Sequence, residues 1–428
     1  MVPHFATALS GPINELEQRI LDSMPAIERW FRLEWMEHTP TFYCAADVRN
    51  AGFKLAPVET QLFPDGWDHL TAEMLPLAVQ AAMAAIEKIC PEARNLLIVP
   101  ENAKRSTPYL NSLVQLRRIF HMAGLNVRVG SISAEVKSPT TIVLPTGESI
   151  TLEPVVRNKG RIGVKDFDPC TILLNNDLRA GVPGILEELH QQYLLPPLHA
   201  GWSIRRKSVH ARCYEEVCKR FGKLIGVDPW LMNPLFDPCG KVDLADTGQR
   251  QELGRRVDAL LGKLRKKHKE YGIKEKPFVL LKADDNRLQW TPVVLHSAQD
   301  LDSLDPVRVH GHQSLELLLQ EGVPSSERVN HVPVAPMVYM MDRYVVGGYY
   351  RVHGPRAADA PSDGLQGLQD SGVAPLAFAQ GVHLPQPGAR PGASAPNRFY
   401  MYGVVGRLAM LAASYELEAT DPQAHDYS

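Results

Sequence analysis

A few charged positions in the last third of the chain have the types and spacing for phosphate chemistry. Residues 277–284 read Pro-Phe-Val-Leu-Leu-Lys-Ala-Asp, a short apolar strand with Lys282 near its end. Residues 317–323 (Leu-Leu-Leu-Gln-Glu-Gly-Val) are apolar and then abruptly polar, with Gln320, Glu321 and Val323 at the transition. Residues 336–353 read as two strands joined at Asp342-Arg343, and Arg351 stands near the end of the second. A buried lysine after one strand, an acid after another and an arginine at the end of a hairpin suit nucleotide phosphates. The cations neutralise phosphate charge while carboxylates hold magnesium.

The elements that must position these groups are legible from period and punctuation. Apolar residues at helical spacing over 13–37, interrupted by Pro25, predict two helices. Residues 42–48 predict a strand that delivers Asp47, Arg49 and Asn50 into a loop containing Gly52. Helices over 72–89 and 109–122 alternate with strands over 96–99 and 125–129, which argues for a parallel sheet covered by helices. Two strand-like runs at 141–145 and 149–152 predict a hairpin around Gly147. The strand at 171–174 ends on Asn175, Asn176 and Asp177. Ligands sit at the carboxyl ends of strands in open α/β sheets, so both polar endings are site candidates; the plain alternative is that Asn and Asp stop strands and cap helices.

Residues 205–208 (Arg-Arg-Lys-Ser) precede a helix over 209–224. They read either as solvated charge, or as Lys207 facing a nucleotide with Ser208 capping the helix. A basic helix over 255–269 reads as solvated. Residues 354–396 shift to Pro, Gly, Ala, Ser and Asp and predict a long mobile loop, placed to act as a lid or without function. An apolar helix over 404–417 is too short to span a bilayer, which takes about 20 residues. The fold class expected is α/β: an N-terminal parallel-sheet domain (1–195), a linker with a small helical subdomain (196–276), and an α+β nucleotide-binding domain (277–428).

The 428 residues suit two or three domains, and 44% hydrophobic with 22% charged residues is ordinary for a globular protein. A net charge of -2 gives no electrostatic case for nucleic acid or an anionic membrane. The opening residues lack a basic stretch followed by an apolar core, so no signal peptide is expected and the cytoplasm is the default. The six cysteines are scattered without a zinc-type spacing and read as free thiols.

Longer motifs carry a resemblance. Asp-Val-Arg-Asn-Ala-Gly-Phe-Lys-Leu-Ala-Pro-Val (47–58), Leu-Leu-Asn-Asn-Asp-Leu (173–178), Pro-Pro-Leu-His-Ala-Gly-Trp (196–202), Arg-Arg-Lys-Ser (205–208) and the hairpin at 336–353 recur along nearly the whole chain. Together they resemble the proteobacterial glutamate–cysteine ligase family of the ATP-grasp superfamily. The resemblance implies ligation of the glutamate γ-carboxylate to cysteine through an acyl phosphate, the first step of glutathione biosynthesis, with ATP and Mg2+ as cofactors. Expected partners are small molecules, with a homo-oligomer left open.

By position, the resemblance implies that Lys207 and Lys282 contact ATP phosphates. Gln320, Glu321 and Val323 would form the strand edge facing adenine and ribose. Arg351 would be the phosphate or transition-state cation, Asn397 would place an amide oxygen on magnesium, and Asp342 is either a metal ligand or a turn residue. Substrate recognition falls to Asp47, Arg49, Asn50, Lys54, Asn176 and Asp177. A guanidinium such as Arg49 suits the glutamate α-carboxylate, and Asp47 or Asp177 suits its ammonium; the alternative for Arg49 is a salt bridge to Asp47.

The chain departs from the pattern in one segment. A glycine-rich loop would cradle phosphates with backbone N–H groups after Asp284. Here 285–292 read Asp-Asn-Arg-Leu-Gln-Trp-Thr-Pro, without glycine. Residues 323–327 replace an aromatic turn, and Ala335 stands where an acid is expected. Two alternatives follow: a catalytically impaired homologue acting as a binding or regulatory protein, or a local reading-frame or sequencing error between about 285 and 335.

Overall fold

The structure is a computed structural model that describes residues 12–102, 106–285, 290–304, 314–329, 332–352, 373–375 and 398–422. Helices α1 (Pro12–Asp22) and α2 (Met24–Glu37) lead into strands β1 (Tyr43–Asn50) and β2 (Leu55–Gln61). There follow α3 (Leu75–Ile89), β3 (Asn95–Pro100), α4 (Thr107–Met122), β4 (Asn126–Ser131), β5 (Thr140–Val143), β6 (Ser149–Pro154), β7 (Val156–Asn158), β8 (Arg161–Gly163), β9 (Thr171–Asn175) and β10 (Tyr193–Leu195). The second half holds α5 (Lys207–Ile225), β11 (Phe236–Val242), α6 (Thr247–Glu270), β12 (Val279–Ala283), β13 (Val293–Leu295), β14 (Leu315–Glu321), β15 (Arg328–Val329), β16 (Val332–Met341), β17 (Tyr344–Val352), β18 (Val373–Pro375) and α7 (Arg398–Thr420).

These elements make a mixed α/β fold of three principal sheets. One runs β10-β9-β3-β4-β6-β5, parallel except for the β5–β6 hairpin. The second runs β18-β17-β16-β1-β2, antiparallel throughout, with β15 on β16. The third, β11-β14-β12-β13, is a small antiparallel sheet against α6. Pro25 falls in the first turn of α2, where a missing N–H is tolerated, and the helix break comes at Ser23.

Two expectations need correction. The strand beginning near residue 42 is not part of the parallel sheet; β1 pairs antiparallel with β16 and β2, so strands from both ends of the chain share one sheet. Asp47, Arg49 and Asn50 lie on β1 itself, not in the following loop, because the tight turn starts only at Ala51, whose N–H donates to the Lys54 carbonyl. Most of the stretch 354–396 expected to be a mobile loop lies outside the described residues; within it, β18 pairs with β17.

Helix α7 packs its apolar surface on β1, β2 and β16, with Val404, Leu408, Leu411 and Ala412 fully buried. Among the described residues no helix is long and apolar enough to cross a membrane. The antiparallel sheet therefore has one face sealed by α7, and its other face is covered toward β16 and β17 by α3.

Candidate active site

Register decides which side chains share that face. Asp47 pairs with Glu59 of β2 and with Met337 of β16, and Met337 pairs with Tyr349 of β17. Directly opposed residues project to the same side of a sheet, so Glu59, Asp47, Met337 and Tyr349 form one transverse row. Two positions along, Gln61, Ala45 and Tyr339 form the next row. These residues, with Arg351, floor a cleft of about 620 Å³ including its open mouth.

The other wall comes from the parallel sheet, as expected for strand carboxyl ends. Asn175 ends β9, Asp177 follows it, Glu101 follows β3, and Tyr109 reaches in from α4. Asp47, Glu59, Asp65, Glu101 and Asp177 make this cleft strongly acidic, and Arg351 is the cation lining it. Arg351 Nη1 donates to Asp47 Oδ2 at 2.8 Å. Asp47 Oδ1 and Arg49 Nε stand 3.6 Å apart, and neither makes a hydrogen bond; Arg351 Nε also lacks one. Of these groups Asp47 and Arg351 line the cleft, and Arg49 lines neither cleft.

A second cleft, of about 530 Å³, is lined by Pro57, Val58, Glu59, Thr60, Trp202, Arg205, Lys207, His210, Tyr214, Lys282 and Gln320, among others. Its cations are placed by local structure. The Lys207 N–H donates to the Asp284 carbonyl at 2.9 Å, which ties the start of α5 to the end of β12. The Asp284 carboxylate accepts from the Ser208 N–H and hydroxyl, each at 2.7 Å. This corrects the capping expectation: Arg206 is at the cap position, and Asp284 supplies the anion that the helix N-terminus favours.

Lys282 is fully buried, and burial pulls its ammonium down to about 8, opposed by Glu59 and aided by Lys207. Its Nζ donates to the Val58 carbonyl at a long 3.4 Å. Glu59 lines both clefts, acidic on one side and basic on the other.

The structure thus brings together Asp47, Asp177 and Arg351 in the acidic cleft, and Lys207, Lys282 and Gln320 in the basic one. Other residues expected at the site are placed elsewhere. Lys54 and Glu321 pair with each other at 2.7 Å in the interior, and Glu321 Oε2 also accepts from Trp230 Nε1 and the Leu235 N–H. Glu321 offers no open strand edge either, because β14 is flanked by β11 and β12. Val323 is buried in the core.

Asn50 donates to Glu327 and accepts from the Gly52 N–H, closing the turn after β1. Ser326 bonds the Asn50 carbonyl through both its N–H and hydroxyl, so the residues that replace an aromatic turn brace the same corner. Asn176 accepts from the Leu178 N–H and lines neither cleft. Asp342 sits in the β16–β17 turn with φ of 49°, 3.6 Å from Lys88 and Arg343. It lies nine positions before Arg351, about 30 Å of extended chain. Asn397 lies outside the described residues, as do residues 286–289 of the glycine-free segment; Trp290 donates to the Leu281 carbonyl at 3.4 Å.

Sequence reading missed Glu59, Gln61, Asp65, Glu101, Tyr109, Trp202 and His210. The signal for two of them was partial: Glu59 and Gln61 stand two apart, the period of one sheet face, in the polar Glu-Thr-Gln ending of a strand that begins Leu-Ala-Pro-Val.

The chain matches the GshA family, glutamate-cysteine ligase, over residues 17–417. The chain belongs to the glutamate-cysteine ligase family. Its structure is similar to that of a protein from Methylobacillus flagellatus KT that carries a provisional assignment as a gamma-glutamylcysteine synthetase. The two share 47% identity with a TM-score of 0.90, covering 98% of this chain and 100% of the other. A glutathione synthetase-like effector from Globodera pallida shares 9% identity with a TM-score of 0.35 over 82% of this chain and 79% of its own, too little to argue from. No curated protein matches the chain.

Proposed function

We propose that this member of the glutamate-cysteine ligase family joins the glutamate γ-carboxylate to the cysteine amine with cleavage of ATP to ADP and phosphate through an acyl phosphate, opening glutathione biosynthesis. The observation that carries the reading is the pair of oppositely charged clefts meeting at Glu59. A carboxylate resists attack by an amine because its charge repels the nucleophile and oxide is a poor leaving group. Phosphorylation removes both obstacles, and it requires nucleotide and carboxylate to meet at one wall.

In this reading Lys207 and Lys282 hold phosphate oxygens in the basic cleft, with Trp202 and Gln320 beside the nucleoside. The acidic cleft takes the two amino acids, whose ammonium groups suit Asp65, Glu101 and Asp177. Arg351 presents its guanidinium to the carboxylate that is activated, held at the correct angle by Asp47. Arg49, behind Asp47, fixes that aspartate by charge. Asp342 keeps the turn, and Asn397 stays a candidate amide donor.

Hard oxygen donors suit magnesium, and Glu59, Asp47 and Gln61 supply them side by side on β1 and β2. The unbonded Asp47 Oδ1 leaves room for that role. Magnesium, when bound there, would neutralise phosphate charge during transfer. Buried walls exclude water, which an acyl phosphate would otherwise meet.

The test is ADP release by the purified chain with ATP, magnesium, glutamate and cysteine. Release that requires both amino acids and yields γ-glutamylcysteine supports the reading. Release without cysteine, or none under any combination, overturns it.

A further inference from the structure

The six thiols are not equivalent. Cys44 and Cys218 are fully buried, and burial pushes each up to about 12. Cys213 and Cys239 are partly buried and pushed up to about 11, again by burial first. Cys90 and Cys170 are partly exposed, and their sulfurs are 3.2 Å apart although 80 residues separate them in sequence. Cys90 closes α3, its N–H donating to the Ile86 carbonyl. Cys170 immediately precedes β9, and its carbonyl accepts from the Tyr193 N–H at the start of β10. Both backbones are therefore held, and only the thiol torsions are free to adjust.

We propose that Cys90 and Cys170 form a thiol pair that small-molecule disulfides oxidise to an internal disulfide. Closing 3.2 Å to a bond of about 2.05 Å requires roughly 1 Å of sulfur movement, within reach of side-chain rotation. The chemistry is two successive exchanges. The thiolate of one cysteine attacks a sulfur of R–S–S–R, forming a mixed disulfide and releasing R–S⁻, which takes up a proton. The second cysteine, already in contact, loses its proton and attacks the first cysteine's sulfur, forming the Cys90–Cys170 bond and releasing the second R–SH. Two protein thiols are oxidised and one external disulfide is reduced to two thiols.

Contact between the sulfurs makes the second step intramolecular, so the mixed disulfide does not accumulate. The bridge would enclose α4 and strands β3 to β8, the bulk of the parallel sheet and its hairpins. Shortening the free loop of the unfolded chain favours the folded state, so the oxidised form should have the higher Tm. β9 spans Thr171–Asn175, so the pair sits about 16 Å from the end of that strand that lines the acidic cleft. Oxidation should therefore stabilise the sheet without reshaping the cleft.

The experiment incubates the full chain with 2-hydroxyethyl disulfide, blocks remaining thiols under denaturing conditions and maps peptides by mass. The expected result is a single Cys90–Cys170 cross-linked peptide, an intact mass about 2 Da lower, and full reversal by dithiothreitol. The thiol titre falls from six to four. Cys90→Ser and Cys170→Ser should each stop at a mixed disulfide on the remaining partner. Six surviving thiols, a persistent mixed disulfide on the unaltered chain, or a cross-link between other cysteines would overturn the assignment. The mapping on the unaltered chain decides the matter even where a serine variant folds poorly.

Discussion

Lys54 offers the sharpest test of how the site is divided from its scaffold. Its motif places it among candidate substrate contacts, yet the structure buries it completely against Glu321, with Nζ 2.7 Å from Oε2 and 4.1 Å from the centre of the Trp230 ring. Lys54→Met would keep the side chain's length and remove its charge. Glu321 would then be buried with only two neutral donors, Trp230 Nε1 at 3.2 Å and the Leu235 N–H at 2.8 Å. Breaking such a pair by removing one partner costs about 3–5 kcal/mol, most of it the uncompensated charge. Lys54→Met with Glu321→Gln removes that charge while an amide oxygen can keep both donors, so the double variant should recover at least half of the loss. Urea midpoints for the four proteins, beside KM for glutamate, make the assay. The expected pattern is a large fall in midpoint for Lys54→Met, partial recovery in the double variant, and a KM within about threefold, since a uniform-binding loss would exceed that. An unchanged midpoint with a tenfold or larger rise in glutamate KM would refute the reasoning and return Lys54 to the substrate.

Three further outcomes follow from the clefts. Burial, partly offset by Glu59, lowers Lys282 to about 8, so between pH 8 and 10.5 the unfolded chain holds more protons and this group's contribution to stability rises with pH. Phosphate prefers the ammonium, so nucleotide affinity has the opposite trend, falling as pH rises above about 8; Lys282→Arg, charged throughout, should flatten that profile in a binding titration. Glu59→Gln should lower kcat by about 100-fold while nucleotide Kd changes only a few-fold, because the carboxylate belongs to the wall between the clefts. Asp342→Asn should leave kcat and the magnesium requirement within about twofold and stability within about 0.5 kcal/mol, since Asn tolerates the left-handed turn; a shifted magnesium titration would make Asp342 a metal ligand after all.

Local signals in the chain were strong where chemistry and secondary structure coincide. The hairpin at Asp342-Arg343 was legible because two apolar runs flank two charged residues, and the helix at 404–417 because its apolar residues are nearly uninterrupted. Lys282 was singled out by its place at the end of an apolar strand and Lys207 as one of two readings of a basic run, but the Asp284 link that sets them side by side is a tertiary contact. What stayed hidden was pairing across great separations. Asp47 and Arg351 lie 304 residues apart, and Lys54 and Glu321 lie 267 apart. Nothing in the period of β1 says that its partner is β16, and an Asn-Ala-Gly sequence reads as a loop start even where the strand runs on to Asn50. Charge alone could not separate Lys54 from Lys282, because both are fully buried; what differs is that one meets a carboxylate at bonding distance and the other faces a cleft.

The last helix reaches the basic cleft through one residue. Glu416 of α7 is fully buried and accepts from Arg205 Nε at 2.7 Å and Nη2 at 3.0 Å, with His210 Nδ1 at 2.9 Å. Arg205 in turn donates through Nη1 to the Thr60 carbonyl at 2.8 Å, the residue after Glu59. One carboxylate therefore fixes two residues of the cleft lining and, through Arg205, the strand that carries the shared wall. Glu416→Gln keeps the shape and removes the charge, leaving Arg205 buried without its counter-ion, a loss of about 3–5 kcal/mol in stability. Binding should change selectively: KM for ATP should rise by tenfold or more, while KM for glutamate holds within about threefold, because none of Glu416, Arg205 and His210 lines the acidic cleft. An equal rise in both constants would mean that α7 supports the fold as a whole and that Glu416 has no particular hold on the nucleotide side.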